Sequence, residues 1–125
     1  MKKILFAASE CVPFIKTGGL ADVVGSLPKN FNKKEFDVRV VLPKYALEYV
    51  TNFYMGYNWK ERYVGIFKLV LDGVTFYFID NEEYFNGDKP YTSDGLWDIE
   101  RFGYFSKAVL SILPVIDFRP DVIHC

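Results

Sequence analysis

The stretch from Ile4-Leu5-Phe6-Ala7-Ala8-Ser9-Glu10 through Lys16-Thr17-Gly18-Gly19 to Leu20-Ala21-Asp22-Val23-Val24-Gly25-Ser26-Leu27-Pro28 decides the fold. Ile4 to Ala8 is continuously apolar and stops at Ser9-Glu10, as a strand buried on both faces does. Leu20, Val23, Val24 and Leu27 follow the i, i+3, i+4, i+7 rule, which predicts a helix with that stripe buried. Pro28 lacks an N–H and clashes with the preceding turn, so the helix should end near Leu27. Val38, Val40, Val41 and Leu42 form the next apolar run, closed by Pro43. Strand, helix, strand in about 40 residues is a βαβ unit, which implies a parallel sheet and a right-handed crossover.

Further along, the runs 64–71 and 74–79 flank Asp72-Gly73, a dipeptide suited to the positive φ angles of a tight hairpin. Asn81 to Trp97 has no clear period and is punctuated by Gly87, Pro90 and Gly95, which reads as one long loop. Ile99, Phe102, Phe105, Val109, Ile112 and Leu113 then predict the buried stripe of a second helix, with Asp98 as N-cap. Val122-Ile123-His124-Cys125 reads as a last short strand. Its carboxyl end lies where open α/β sheets bind ligands, and the chain is expected to be a piece of a longer protein. The fold class is therefore α/β, with a mostly parallel sheet carrying a β-hairpin insertion.

Composition bounds what such a domain can do. At 125 residues the chain is one domain's worth, half of it hydrophobic and a quarter charged, which excludes a disordered tail. Fifteen basic against sixteen acidic residues leave a formal charge of −1, which argues against nucleic acid or an acidic membrane as partner. No segment approaches the ~20 apolar residues of a membrane span, and the apolar run after Lys2-Lys3 is too short for an export signal. Cys11 and Cys125 have no paired spacing and point to a reducing, cytoplasmic compartment. The aromatic content is high, with 12 Phe, 9 Tyr and 2 Trp. Most must be core, and part is expected to line a surface that stacks on a ligand.

The chemistry concentrates in the loop from Ser9 to Gly19, long against the roughly 2–6 residues usual between strand and helix. Gly18 and Gly19 let the backbone approach a ligand without Cβ interference. The helix they open offers unpaired N–H groups with partial positive charge, and Lys16 adds a full one. Together these suit the diphosphate of a sugar nucleotide. A second reading has the glycines merely turning the chain while Lys16 sits in solvent. The loop is neither a Walker loop nor a dinucleotide fingerprint. Asp22 either complements the helix dipole, worth ~0.3–1 kcal/mol, or accepts hydrogen bonds from sugar hydroxyls. Gly25 is read as structural, allowing close helix packing. His124, the single histidine, is read as a core residue and leaves no His-based triad or metal cluster. Ser26, Ser106 and Ser111 have no partners for nucleophilic catalysis.

Ser9-Glu10, Pro13-Phe14 and Lys16-Thr17-Gly18-Gly19-Leu20-Ala21-Asp22-Val23-Val24-Gly25 together resemble the amino-terminal signature of bacterial glycogen synthases and plant starch synthases. The Val38-Arg39-Val40-Val41-Leu42-Pro43 run, Tyr91, Arg101-Phe102 and Pro120-Asp121-Val122-Ile123-His124 extend the resemblance over essentially all 125 residues. The resemblance implies that residues 1–125 are a truncated amino-terminal, Rossmann-like domain from the amino-terminal half of a two-domain GT-B glycosyltransferase whose carboxyl-terminal nucleotide-binding domain is absent from this chain. It implies retaining transfer of α-glucosyl from ADP-glucose to the non-reducing 4-hydroxyl of an α-1,4-glucan, without a metal or other cofactor. Lys16, Thr17, Gly18 and Gly19 would then meet the donor's phosphate and sugar region, and Asp22 and Tyr91 would line the glucose site. Glu10 is read as an organiser of the loop. The fragment alone is expected to be inactive, and its residues do not choose ADP over UDP. Another sugar-nucleotide glycosyltransferase and a non-catalytic glucan-binding module are the competing readings.

Overall fold

A computed structural model describes residues 1–14, 17–43, 48–85 and 91–125. Six strands form one sheet in the order β3-β4-β5-β2-β1-β6. β1 (Lys2–Ala7) pairs in parallel with both β2 (Phe36–Pro43) and β6 (Val122–His124), and β2 pairs in parallel with β5 (Val74–Asp80). β3 (Glu48–Tyr57) and β4 (Lys60–Leu71) extend the sheet antiparallel beyond β5. The parallel half and the Asp72-Gly73 turn (φ +53° and +73°) match expectation. β3, which no alternating pattern announces, completes a second hairpin.

Alternation along the parallel strands sorts side chains onto two faces. Ile4, Phe6, Val24, Val38, Val40, Phe76 and Phe78 pack on one side with α1 (Gly19–Ser26). Leu5, Val41, Ile66, Ile79, Tyr104, Phe105, Val109 and Ile112 pack on the other with α2 (Gly95–Ile112). The result is a three-layer α/β domain in which the connection through α1 places β2 on one side of β1 and that through α2 places β6 on the other. Ligands in open α/β sheets lodge beyond the carboxyl ends of strands at such a reversal.

Several expected details are corrected. In α1 the buried residues are Ala21 and Val24, while Leu20, Val23 and Leu27 are exposed. The helix presses its small side against the loop from β1: a Cβ on Gly25 would lie 2.3 Å from Val12 Cγ2 and 2.9 Å from the Val12 carbonyl oxygen. Gly25→Ala is therefore expected to destabilise the protein. Overpacking costs ~1–3 kcal/mol, and the better helix propensity of alanine returns only about 1. Rotamer change cannot move a backbone oxygen. Thermal unfolding of the intact protein checks this, and an unchanged midpoint would mean the Val12 segment yields.

α2 begins four residues earlier than expected, with Asp94 as N-cap accepting from the Leu96 and Trp97 amides at 3.1 and 3.2 Å. Asp98 lies in the first turn, and Ile99 is exposed while Arg101 is buried. The long loop is thus shorter: Asn81 caps a turn at 82–84 by accepting from the Glu83 and Tyr84 amides, and residues 86–90 lie outside the described ones. His124 is exposed rather than core because β6 is an edge strand, and its ring rests 4.8 Å from that of Phe6.

Candidate functional site

At the carboxyl end of β1 the chain turns through Ser9 and buries Glu10, 2% exposed, beneath the opening of α1. A buried carboxylate needs donors on both oxygens. Thr17 gives Oε2 its amide, at 3.0 Å, and its hydroxyl. Gly18 and Ala21 donate their amides to Oε1, each at 3.2 Å. Glu10 therefore does for α1 what a side-chain cap does, reached from eight residues upstream, since Gly18 at the N-cap has no side chain to offer. Burial alone would raise the Glu10 pKa, but the Thr17 hydroxyl and the three amides outweigh it and hold the acid below its ordinary 4.5.

A depressed folded-state pKa stabilises the fold fully above the unfolded value, and that stability is lost as pH falls through the folded one. Glu10→Gln is expected to be less stable than wild type at pH 7, with the gap closing in acid as the wild-type carboxylate protonates. Denaturant titrations between pH 7 and 3 measure it, and a gap constant with pH would refute an ionised cap.

This arrangement sorts the predicted site residues. Thr17 and Gly18 are turned inward onto Glu10. The Gly19 amide has no acceptor among the described residues, and Gly19 is exposed. Neither glycine is there for its backbone angle. Gly18 is extended at φ −161°, and Gly73 is the one positive-φ glycine among the described residues. A Cβ on Gly19 would meet nothing within 4 Å, and one on Gly18 would make ordinary contact with Glu10 at 3.8 Å. The fold does not require glycine at 19. What glycine leaves there is open space before a helix N-terminus, where the dipole favours an anion. Asp22 sits exposed in the first turn of α1. Lys16 lies outside the described residues.

Tyr91, 82 residues from Ser9 in the chain, is brought to the same edge: its hydroxyl and the Ser9 hydroxyl share a hydrogen bond of 2.6 Å. Its ring leans on Phe102 at 5.8 Å. Ser9 escaped the sequence reading because the contact depends on two connections meeting over β1. Beside it a cleft of about 490 Å³ opens between α2 and the ends of β1 and β6, lined by Ala7, Ala8, Ser9, Phe105, Val109 and Ile123 among others. Cys11 is buried, and burial pushes its thiol up to about 11, so it stays protonated at neutral pH. No group of three His, Cys, Asp or Glu among the described residues could hold a metal ion. None of the described helices is long and apolar enough to cross a membrane.

Known proteins similar to this chain are glycogen and starch synthases. The glycogen synthase of Lachnospira eligens is 58% identical over the whole chain, which spans 28% of that protein. That of Desulforamulus reducens is 51% identical over 98% of the chain, against 27% of its own length. The catalytic domain of starch synthase IV from Arabidopsis thaliana, solved bound to ADP and acarbose, superposes with a TM-score of 0.77 at 28% identity, covering 99% of this chain and 27% of that one. This chain thus spans little more than a quarter of the relatives it matches. The starch synthase catalytic domain family matches residues 3–125, and the chain belongs to that family.

Proposed function

We propose that this chain forms part of the amino-terminal domain of a cytoplasmic, retaining glucosyltransferase. The enzyme moves α-glucosyl from ADP-glucose to the non-reducing 4-hydroxyl of an α-1,4-glucan, without a metal. The carrying observation is Gly19, whose amide opens α1 into free space while Glu10 occupies the inner amides. Breaking the glucose–phosphate bond leaves growing negative charge on the diphosphate and cationic character on the sugar. A donor aimed at the departing oxygens lowers the barrier because it binds them more tightly in the transition state than before it. Gly19 N–H and the ammonium of Lys16 are assigned that role. Asp22 and Tyr91 are assigned to the glucose, with Ser9 holding the Tyr91 hydroxyl in place. The nucleotide pocket is assigned to a carboxyl-terminal domain outside these residues, so the 125 residues alone should not turn over.

A crystal of the intact protein with ADP tests the reading. The phosphates are expected against Gly19, and phosphates lodged elsewhere would overturn it. A donor panel on the same protein is expected to favour ADP-glucose, and equal kcat/KM with UDP-glucose would move the assignment to another sugar-nucleotide transferase.

A further inference from the structure

The β3–β4 hairpin carries a residue that the fold does not explain. Tyr57 pairs with Lys60, so the turn is the two residues Asn58-Trp59, with φ of +52° and +63°. Two-residue turns of this hand ordinarily place glycine second, because a side chain there crowds the backbone. A bulky residue in the left-handed region is an outlier, and Trp59 occupies it while remaining wholly exposed, at 103%. It gains no packing that would offset the conformation.

The turn itself is held firmly. Tyr57 donates its hydroxyl to the Glu100 carbonyl at 2.9 Å, and Asn58 Nδ2 donates to Glu100 Oε1 at 3.2 Å. Arg62 Nε donates to the Tyr57 carbonyl at 3.4 Å, and Lys107 Nζ donates to the Gly56 carbonyl. Bonds from α2 and β4 brace everything around the indole and leave the indole in water. The backbone that presents the indole is fixed, so binding would order only the two side-chain torsions of Trp59.

The surroundings indicate what would stack. A shallow cleft of about 450 Å³ runs beside Trp59, lined also by Gly56, Tyr57, Asn58, Lys60, Glu61 and Lys107. It offers an apolar ring flanked by ammonium and amide donors and by carboxylate and amide acceptors. A glucose unit has that same division, with C–H groups on its faces and hydroxyls around its rim. The position fits as well. β4 runs antiparallel to β5, with Gly65 opposite Asp80 at the carboxyl end of β5. The hairpin tip, six residues beyond Gly65 along β4, therefore lies toward the carboxyl-end side of the sheet, packed against α2.

Building on the proposed reading above, we propose that Trp59, with Asn58, Lys60 and Glu61, forms an ancillary platform for a long α-1,4-glucan chain. It lies apart from the site where the chain end receives glucose. It holds the polymer at the rim, raising the local concentration of chain ends by tethering.

The test uses the intact protein. Trp59→Gly removes the plate while suiting the turn's backbone, and Trp59→Tyr keeps an aromatic ring. Affinity electrophoresis in glycogen is expected to show at least fivefold weaker binding for Trp59→Gly and substantial recovery for Trp59→Tyr. KM for ADP-glucose and transfer to maltotriose are expected to stay at wild-type values. Glycogen affinity unchanged in Trp59→Gly would overturn the proposal. So would an equal loss with maltotriose, or Trp59 shielded from acrylamide quenching without glucan because the remaining polypeptide covers it. A wild-type protein that binds glycogen but does not use ADP-glucose would instead sink the transferase reading and leave the platform standing.

Discussion

Lys16→Ala in the intact enzyme is expected to lower kcat/KM for ADP-glucose by about 10²–10³-fold, the ~3–4 kcal/mol that one preorganised donor to a developing anion supplies elsewhere. The physical basis is the asymmetry of charge along the reaction. The diphosphate gains negative charge as the bond to glucose breaks, so an ammonium beside it stabilises the transition state more than the bound donor. The helix mouth alone cannot replace it. Glu10 already binds the amides of Thr17, Gly18 and Ala21, and its own negative charge lies behind them. A full positive charge is needed to make that corner attractive to two phosphates. The unfolding midpoint should stay at the wild-type value, since the core clusters are built from other residues. Wild-type steady-state kinetics in Lys16→Ala would remove the charge argument and the assignment with it.

Arg101→Ala is expected to cost the protein about 1–3 kcal/mol, the consequence of leaving a buried carbonyl, that of Tyr84, without its donor. Arg101 is 3% exposed; its Nε donates to the Tyr84 carbonyl at 2.7 Å and its Nη1 to Asp98 Oδ1 at 2.8 Å. The guanidinium plane lies 5.0 Å from the Phe85 ring centre and 5.4 Å from that of Phe102. Asp98 in turn accepts from the Thr92 amide, at 3.0 Å, and hydroxyl, at 2.8 Å. Burial would raise the Asp98 pKa, but Thr92 and Arg101 together hold it below the ordinary 3.8. The cluster ties the segment beginning at Tyr91 to α2, so the loss should reach activity through Tyr91 as well as stability. Arg101→Lys should not restore either, because a single ammonium cannot reach the Tyr84 carbonyl and Asp98 through two separate nitrogens as the guanidinium does. Denaturant unfolding and glucosyl transfer by both variants provide the measurement, and full stability in Arg101→Lys would show that charge alone is what counts there.

How much of this was legible in the chain follows the range of each interaction. The apolar run of β1, the breaks at Pro28 and Pro43, and the Asp72-Gly73 turn are local statements, because strand burial, proline geometry and φ preference act within a few residues. The loop motif likewise carried the family resemblance without coordinates, since its residues are contiguous in the chain. α1 exposes the limit of periodicity. Leu20, Val23 and Leu27 have helical spacing, and so do Ala21, Val24 and Pro28. Only the close approach of Gly25 to Val12 selects the second set.

The sequence by itself determined the α/β architecture and the family, because repeated local preferences all pointed the same way. Tertiary structure alone decided that Glu10 closes the inner amides and leaves Gly19 open, that Ser9 holds Tyr91, and that Arg101 is buried among aromatic rings. It also packed the Asn58-Trp59 turn against α2. The Ser9–Tyr91 and Arg101–Tyr84 contacts join residues through intervening strands and a helix or across a loop, and such contacts leave no periodic trace in the chain.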